Sequence, residues 1–405
     1  MQVLGIPIEF FLFGAVLAGI AVLHKHALKV TLAGLAAILA LRFATGFAEG
    51  PGLAGFGGFI AHEWVTLAEL FLLLAGFAIL ANQFERSGLP DAMPRLLPDN
   101  WTGGLALLGV VFVMSAFLDN IAAAVIGGVM AKHLYGGRVA VGFLAAIVAA
   151  ANAGGAGSVL GDTTTTLMWI GGVSPVTVMP AFLGALAAFA VFAVPAARQQ
   201  QRFQPIQKRN APVARIGWSR LALVAVMLLA ILGANVGSTL LAPRLHHFMP
   251  VLGVALWLAI LLTSLVRSPD WSVLPGAAKG AGFLVALVAC AALMPVHGLP
   301  DPSWVSALGL GVLSAVFDNI PLTALALKQD GYDWALLAYA VGFGGSMVWF
   351  GSSAGVALSN SYPEARSVLS WLKQGWFVPL AYFVGFFVML ALVGWRELPA
   401  LPRGG

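Results

Sequence analysis

The chain has few charged residues and almost no cysteine. Only 9% of its 405 residues are charged, whereas 60% are hydrophobic, and the mean hydropathy is +0.93. This composition excludes a soluble protein of two or three domains and predicts an all-α polytopic membrane protein. Cys290 is the single cysteine and lies in an apolar run, so we expect neither a disulfide framework nor a thiolate metal site.

The chain also lacks the motifs of several other classes of protein. It contains no Gly-x-x-x-x-Gly-Lys-Ser/Thr loop, so the sequence does not indicate ATP hydrolysis. The first residues, MQVLGIPIEFF, carry neither a basic leader nor a small-residue cleavage site, and we expect an uncleaved first helix. The net charge of +5 comes from Lys and Arg in short loops between apolar spans, which indicates membrane topology rather than nucleic-acid binding.

Apolar spans follow one another along both halves of the chain. A bilayer core of about 30 Å needs roughly 20 apolar residues per helical crossing. In the first half we predict crossings at 8–23, 27–44, 64–82, 138–171 and 176–196, and in the second half at 217–233, 250–266, 280–296, 334–360 and 375–395. Glycines interrupt the fourth crossing of each half. We expect two transmembrane units, 1–196 and 217–405, joined by a basic cytoplasmic linker at 197–216.

Three motifs occur twice in the same order. GLPD stands at 88–91 and 298–301, and the Asp-Asn motifs SAFLDN and SAVFDN stand at 115–120 and 314–319. Each half then has a Gly-Gly pair followed, after five residues, by another glycine, at 154, 155 and 161 and at 344, 345 and 351. The offset between copies shortens from 210 to 199 to 190 residues, as loop deletions would produce. This pattern predicts an internal duplication.

The Asp-Asn motifs lie between the third and fourth crossings of each half. The apolar arms beside Asp119 and Asn120 are short for a complete crossing, so we predict a re-entrant hairpin with the polar pair at its tip. Five crossings per repeat is an odd number, which inverts the second repeat. This arrangement places 16 of the 21 Lys and Arg residues on the linker side, with both termini outside. If the hairpins were full crossings, 14 Lys and Arg residues would lie on one side of the membrane and 7 on the other. The inverted arrangement, with 16 against 5, agrees better with an excess of positive charge on the cytoplasmic side.

Three acidic residues are predicted at mid-membrane depth: Asp119, Asp162 and Asp318. Placing such a side chain there costs on the order of 2.5 to 3.5 kcal/mol, so each is a hypothesis of function. Asp is also a good helix N-cap, but capping alone does not require two adjacent polar residues in both halves. Glu69 lies five residues inside its predicted helix, and we expect it near the outer interface with a structural role.

Oxygen-bearing side chains accompany these acids. The interrupted helix of the first half contains NAGGAGSVLGDTTTT, whereas its counterpart GGSMVWFGSSAG offers serines but no acid. Carboxylate, amide, carbonyl and hydroxyl oxygens suit a hard cation. We predict that protons or cations bind at Asp119, Asn120, Asp162, Thr163, Asp318 and Asn319, with all except Thr163 as Na⁺ ligands. We predict supporting roles for Ser115, Asn152, Ser158, Thr164, Ser314, Ser352 and Ser353.

Two repeats, interrupted helices and midplane acids together are typical of a secondary transporter. Acids at the site argue against a carboxylate substrate, because like charges repel. A carboxylate that holds either Na⁺ or H⁺ provides the coupling that exchange requires. We therefore predict exchange of Na⁺, with Li⁺ as a second candidate, for H⁺. We expect no enzymatic activity, no cofactor and no nucleic-acid partner.

The motifs SAFLDN, ANAGGAGSVLGDTTTTLMWIGG, SAVFDNIPLTA and GFGGSMVWFGSSAGVA resemble those of the NhaD-type sodium/proton antiporters of the ion transporter superfamily. This group is related to arsenite permeases and to sodium-coupled dicarboxylate and citrate carriers. The resemblance covers the cores of both halves. It implies two re-entrant hairpins with an ion site at their tips, interrupted helices, a homodimer and elevator-like alternating access in the cytoplasmic (inner) membrane. Related dicarboxylate carriers have Ser-Asn-Thr in place of the Asp-Asn pairs, which favours cation exchange here.

Two other functions stay open. One is a sodium- or proton-coupled carrier of a small anion, such as a dicarboxylate or citrate, or of arsenite. The other is an intramembrane aspartyl protease, in which two membrane Asp residues form a dyad. That chemistry commonly uses Gly-x-Gly-Asp, whereas Val159, Leu160 and Gly161 precede Asp162 here. Proteolysis also has no obvious use for two Asp-Asn pairs.

Overall fold

The computed structural model describes residues 2–3, 6–23, 26–92, 97–207, 216–241, 245–296 and 299–398. Most of these residues are helical, and the strands among them are a short antiparallel pair, β1 (Gln2–Val3) and β2 (Ile6–Pro7). The middle of the predicted linker, 208–215, and Gly298 of the second GLPD motif lie outside the described residues. The fold is that of an all-helical protein, as the composition predicts.

The described helices before the linker are, in chain order, α1 (Ile8–Val22), α2 (Ala27–Thr45), α3 (Gly52–Glu85), α4 (Leu89–Ala92), α5 (Trp101–Ser115), α6 (Asn120–Leu134), α7 (Val141–Gly155), α8 (Thr163–Ile170), α9 (Pro175–Val178) and α10 (Ala181–Phe203). Those after it are α11 (Trp218–Leu241), α12 (Leu245–Phe248), α13 (Val251–Ser264), α14 (Leu274–Ala292), α15 (Trp304–Ser314), α16 (Asn319–Gln329), α17 (Trp334–Gly344), α18 (Ser353–Ser361), α19 (Val368–Gln374) and α20 (Phe377–Val393). Short 3₁₀ turns at Trp271–Val273 and Pro363–Arg366 precede α14 and α19.

Several helices are long and apolar enough to cross a bilayer. Within the described chain five segments meet that test alone: Ala27–Thr45, Gly52–Glu85, Pro175–Phe203, Trp218–Ser238 and Trp271–Ala292. Helices α19 and α20, bent by 63°, give a sixth if they form one span. Shorter apolar helices include α5, α6 and α15 beside the Asp-Asn motifs, and α7 and α17 before the predicted interruptions. The protein is therefore a multi-pass membrane protein.

Two helices are longer than the sequence pattern predicts. Helix α3 begins at Gly52, twelve residues before the predicted crossing at 64–82. Helix α10 continues to Phe203, so the first residues of the predicted linker are helical. Gln200 stabilises that extension, because its Oε1 accepts from Ala140 N at 2.8 Å and its Nε2 donates to the Arg138 carbonyl at 3.1 Å.

The helices pack in two groups. The frame helices are α1, α2, α3, α11, α13 and α14, and α3 contacts both α13 and α14. The site helices are α5–α8, α10, α15–α18 and α20; among them α10 packs along α20, α5 along α7, and α15 along α17. Contacts of α14 with α16 and of α3 with α8 join the groups. Every residue of α7 and α17 is buried, so these two helices lie at the centre of the protein.

Glycine allows each Asp-Asn turn to touch the loop that follows the central helix. A Cβ on Gly161 would lie 1.9 Å from the Ser115 carbonyl oxygen, and one on Gly351 would lie 2.6 Å from the Ala315 carbonyl oxygen. Since real Cβ atoms do not approach that closely, no larger residue fits either position. The repeated glycines of the sequence therefore mark the contacts between an Asp-Asn turn and an interrupted segment.

Candidate functional site

Each Asp-Asn pair lies where one short helix ends and the next begins. Asp318 is the N-cap of α16: its Oδ1 accepts from Ile320 N at 3.1 Å, and its Oδ2 accepts from the Ser353 hydroxyl at 2.9 Å. Asp119 is the N-cap of α6 by position, but its side chain makes no capping hydrogen bond. The predicted capping role is therefore confirmed for the Asp318 side chain and not for that of Asp119.

The two interruptions also begin their second helices with polar N-caps. Asp162 starts α8, and its Oδ1 accepts from Thr164 N at 3.2 Å. Ser352 starts α18, and its hydroxyl accepts from Gly355 N at 3.3 Å. Each side chain accepts from one of the first amide N–H groups of its helix, which have no partner within the helix. The gap between α7 and α8 therefore ends in a carboxylate, and the gap between α17 and α18 ends in a hydroxyl.

Asp162 is the point where both Asp-Asn turns meet. Its side chain is 1% exposed, and its Oδ1 lies 3.2 Å from Asn120 Nδ2 and 3.4 Å from Asn319 Nδ2. Thr163 Oγ1 lies 3.4 Å from the same oxygen. Amide and hydroxyl donors stabilise the charged form of a buried carboxylate, which offsets part of its cost of burial. The structure thus brings the two asparagines together on one acid.

Asn152, in α7, connects the start of α6 to the segment between α17 and α18. Its Oδ1 accepts from Asn120 Nδ2 at 3.0 Å, while its Nδ2 donates to Ser346 Oγ at 2.9 Å and to Ser352 Oγ at 3.1 Å. All three partners are buried, and Asn152 itself is fully buried. Asn152, predicted as a supporting residue, therefore lies in the centre of the polar network.

Four buried oxygens of this network have no hydrogen-bond partner: Asp119 Oδ1, Asn120 Oδ1, Asp162 Oδ2 and Thr164 Oγ1. Leaving such atoms unpaired costs free energy, and a hard cation or a proton compensates an unpaired carboxylate or amide oxygen. Among the described residues, no three His, Cys, Asp or Glu side chains gather into a metal-binding cluster. The oxygens available to a cation therefore come from carboxylates, amides and a hydroxyl together.

The other predicted supporting serines bind the backbone. Ser115 Oγ donates to the Ala151 carbonyl at 2.5 Å, and Ser314 Oγ donates to the Val341 carbonyl at 2.7 Å. Ser158 Oγ donates to the Ala116 carbonyl at 2.6 Å. These bonds hold each Asp-Asn turn against the neighbouring interrupted segment, so the serines position the site without pointing into it.

One cavity borders the site, and another lies beside the helices that lead away from it. The first, of about 270 Å³, is lined mostly by apolar side chains, including Ile121 and Phe283, and it reaches Asp318 and Ser353. The other, of about 370 Å³, contains charged side chains such as Arg42 and Glu63, and it reaches Leu167 in α8. The first borders the starts of α6 and α18, and the second borders α8 and α16.

The sequence analysis missed two residues of the site. It also misplaced Glu69, which lies outside the site. Ser346, an acceptor for Asn152, directly follows the second Gly-Gly pair, and its place beside that repeated motif is the sequence feature that could have indicated it. Gly342 faces Asp162, and it stands 190 residues after Asn152, the offset of the last repeated motif. Glu69 does not lie near a helix end: it is buried in the middle of α3, where its Oε1 accepts from Gly253 N at 2.5 Å.

Known proteins resemble this chain along most of its length. It is 27% identical over 379 residues to the Na⁺/H⁺ antiporter NhaD of Vibrio parahaemolyticus, covering 80% of this chain and 90% of the relative. It is 28% identical over 394 residues to NhaD of Vibrio cholerae serotype O1, covering 82% and 80%. The resemblance to the NhaD-type antiporters is confirmed. Sodium/proton antiporter 1 of Arabidopsis thaliana is 26% identical in an alignment of length 341, which covers 74% of this chain and 57% of the plant protein.

No protein-family model matches the chain. The similarity to NhaD proteins therefore rests on the relatives themselves, and it must include parts of both halves because it covers 80% of the chain, which is more than either half. The Asp-Asn motifs predicted this resemblance from short stretches of the sequence, and the relatives extend it to most of the chain.

Proposed function

We propose that this protein is a secondary transporter that exchanges Na⁺ for H⁺ across the cytoplasmic (inner) membrane by alternating access, and that it is not an enzyme. The names of the NhaD relatives support sodium/proton exchange. The observation that carries the proposal is the environment of Asp162. This buried carboxylate has amide donors from both Asp-Asn turns on Oδ1 and an unpartnered Oδ2.

Exchange follows from competition for that carboxylate. A buried carboxylate is costly when charged and unpaired, so it binds either a proton or a cation. When Na⁺ binds, the proton leaves, and when Na⁺ leaves, a proton must return before the site crosses the membrane. In this mechanism Na⁺ binds at Asp119, Asn120, Asp162, Asp318 and Asn319, with Thr163 and Thr164 beside them.

We also propose that the two halves are inverted-topology repeats, 1–196 and 217–405, each with a re-entrant hairpin and an interrupted helix. Corresponding contacts support this: the bonds Ser115 to Ala151 and Ser314 to Val341 join residues related by the 199- and 190-residue offsets of the sequence motifs. The basic segment 197–216 then faces the cytoplasm, and both termini face outside. A homodimer stays an expectation from the resemblance.

The cavities provide the two access routes in this arrangement. Under the proposed topology, α6 and α18 run from the site toward the cytoplasm, whereas α8 and α16 run outward. The cavity at Asp318 then opens the inner route, and the charged cavity at Leu167 forms the outer route. Asp318 contacts the inner cavity directly, while more than one turn of α8 separates Asp162 from Leu167, so this conformation favours access from inside.

The anion-carrier alternative is not favoured. The relatives are named for sodium/proton exchange, and the site contains three aspartates, which repel a carboxylate substrate. The protease alternative also lacks support, because Asp162 is bound by amides and Asp318 by a hydroxyl, and neither forms a hydrogen bond with another aspartate.

Purified protein in liposomes tests the function. Liposomes with an acidic interior carry a pH-sensitive dye, and Na⁺, Li⁺, K⁺ or choline is added outside. We expect Na⁺ to dissipate the pH gradient and choline to have no effect, with Asp162→Asn as the inactive control. A wild-type protein that ignores every cation but takes up citrate or arsenite with Na⁺ would contradict the proposal.

Accessibility of introduced cysteines tests the topology. Cys290 is the single cysteine of the chain, so a Cys290→Ala background leaves no native thiol. Gln207 and Asp301 are both exposed in the structure. We expect an impermeant thiol reagent to label Gln207→Cys only from the cytoplasmic side and Asp301→Cys only from the outside. Labelling of both from one side would contradict the inverted arrangement.

A further inference from the structure

The two oxygens of the Asp162 carboxylate have different surroundings. Oδ1 is close to four donors, those of Asn120, Asn319, Thr163 and the Thr164 backbone, at 3.2 to 3.4 Å. Oδ2 is buried and has no hydrogen-bond partner. Because Oδ1 is already crowded by donors, a cation approaching this carboxylate has its open coordination position at Oδ2. Whatever lies in front of Oδ2 therefore limits the size of that cation.

Gly342 of α17 lies in front of Oδ2. A Cβ added to Gly342 would be 2.8 Å from Oδ2, and the next neighbour it would meet is the Cβ of Ala156, at 3.9 Å. Such a methyl group would meet the carboxylate oxygen and little else. Glycine is less favourable than alanine inside a helix, so α17 has a residue that weakens it at a position facing the acid. The missing side chain leaves space at Oδ2.

The corresponding position in the first half is filled. Asn152 stands 190 residues before Gly342, and Ser352 stands 190 residues after Asp162, so the two pairs correspond. Asn152 donates to Ser352 Oγ at 3.1 Å and thus occupies the space between the halves. On the other side the pair is Gly342 and Asp162, with no side chain in between. The acid therefore faces a glycine, whereas its serine counterpart faces an asparagine side chain.

We infer that Gly342 determines which cation size Asp162 accepts, an inference that rests on the proposed exchange of Na⁺ for H⁺. A methyl group at this position narrows the space at Oδ2. That narrowing lowers the binding affinity of a larger ion more than that of a smaller one, and a proton needs almost no space. Gly342→Ala therefore shifts the preference from Na⁺ toward Li⁺ while the carboxylate continues to bind protons.

The matched control is Gly309→Ala. Gly309 lies on the exposed surface of α15, and a Cβ there would meet nothing within 4 Å. The control makes the same chemical change in a helix of the same group without touching the site. Each protein is reconstituted in liposomes, and the concentrations of Na⁺ and Li⁺ that give half-maximal exchange are measured.

We expect Gly342→Ala to raise the half-maximal Na⁺ concentration by about tenfold, the equivalent of about 1.4 kcal/mol. The half-maximal Li⁺ concentration should rise much less, and Gly309→Ala should change neither. An unchanged ratio between the two ions in Gly342→Ala overturns the inference. If the wild type exchanges neither ion, the proposed function itself fails, and Gly309→Ala fails with it.

Cation binding without turnover gives a second measurement. The melting temperature of the purified protein is recorded in Na⁺, in Li⁺ and in choline, because a bound ion stabilises the folded state. Gly342→Ala should retain the Li⁺ shift and lose most of the Na⁺ shift. If that variant does not fold, Ala156→Ser narrows the same space from the end of α7 and should shift preference in the same direction. If Na⁺ raises the melting temperature of folded Gly342→Ala as much as it raises that of the wild type, the inference is overturned.

Discussion

Asn152 Nδ2 lies 3.1 Å from the Ser352 hydroxyl, and this hydrogen bond joins α7 to the residue that caps α18, 200 positions later in the chain. The same amide nitrogen reaches Ser346, and Asn152 Oδ1 accepts from Asn120 beside Asp119. One fully buried side chain therefore links an Asp-Asn turn to both sides of the interrupted segment between α17 and α18. Its removal affects stability and the site together.

Asn152→Ala tests that linkage. The change leaves buried polar partners unsatisfied, which costs about 1–3 kcal/mol for an uncharged group. We expect a lower melting temperature and, because Asn120 loses one of its two acceptors, weaker Na⁺-dependent exchange. Thr45→Ala is the control, since Thr45 is exposed and its hydroxyl bonds only to Leu41 within α2. Equal melting temperatures for Asn152→Ala and the wild type would show that the network does not hold the halves together.

The sequence was sufficient to predict the elements whose signals are local. The Asp-Asn pairs, the glycine-rich interruptions and the N-cap at Asp162 depend on residues close together in the chain, and the structure has a helix start at each acid. The partners of Asn152 and the position of Gly342 depend on how α7 meets α17, almost 200 residues away, and no local pattern encodes that contact.

The start of α3 was mispredicted for a physical reason. The stretch GLAGFGGFI from Gly52 to Ile60 is rich in glycine, which usually indicates a loop in a soluble protein. Tertiary packing overrides that tendency here, because Phe56 and Phe59 of this stretch pack against the Phe47 ring and the segment is helical. That longer helix moves Glu69 from the expected helix end to a buried position against α13.

Glu69→Ala should destabilise the protein by about 1–3 kcal/mol, because Gly253 loses the acceptor for an N–H in the first turn of α13. Glu69→Gln retains a side-chain oxygen and should restore most of the loss. The measurement is the melting temperature of both purified variants beside the wild type. If the alanine and glutamine variants melt together, the bond between Glu69 and Gly253 does not stabilise the packing of α3 on α13.

The two tip aspartates should both be required for exchange. Asp119→Asn and Asp318→Asn each remove a carboxylate that helps to compensate the cation, so we expect Na⁺-dependent proton movement to be lost. Asn is also a good N-cap, and removing an acid from the membrane favours insertion, so both variants should fold. Asp301→Asn, at an exposed acid, controls for the loss of charge and should exchange normally. Normal exchange by both tip variants would remove the Asp-Asn turns from the site.

Asp162 and Ser352 occupy corresponding positions in the two halves of the sequence. Replacing Asp162 by Ser therefore separates its role as a helix N-cap from its role as a titratable carboxylate. Ser is itself a good N-cap, so Asp162→Ser should keep the start of α8 while removing the carboxylate that Asn120 and Asn319 contact.

We expect Asp162→Ser to lose exchange or to shift its pH profile, because interacting carboxylates titrate as a coupled set. Ser352→Ala removes no titratable group; it removes an acceptor for Asn152, so it should weaken the apparent Na⁺ affinity and leave the pH profile unchanged. Both variants are measured by Na⁺-driven dequenching across a pH series beside the wild type. An Asp162→Ser protein with the wild-type rate and pH profile would mean that Asp162 only caps α8, and the exchanging carboxylate would then have to be Asp119 or Asp318.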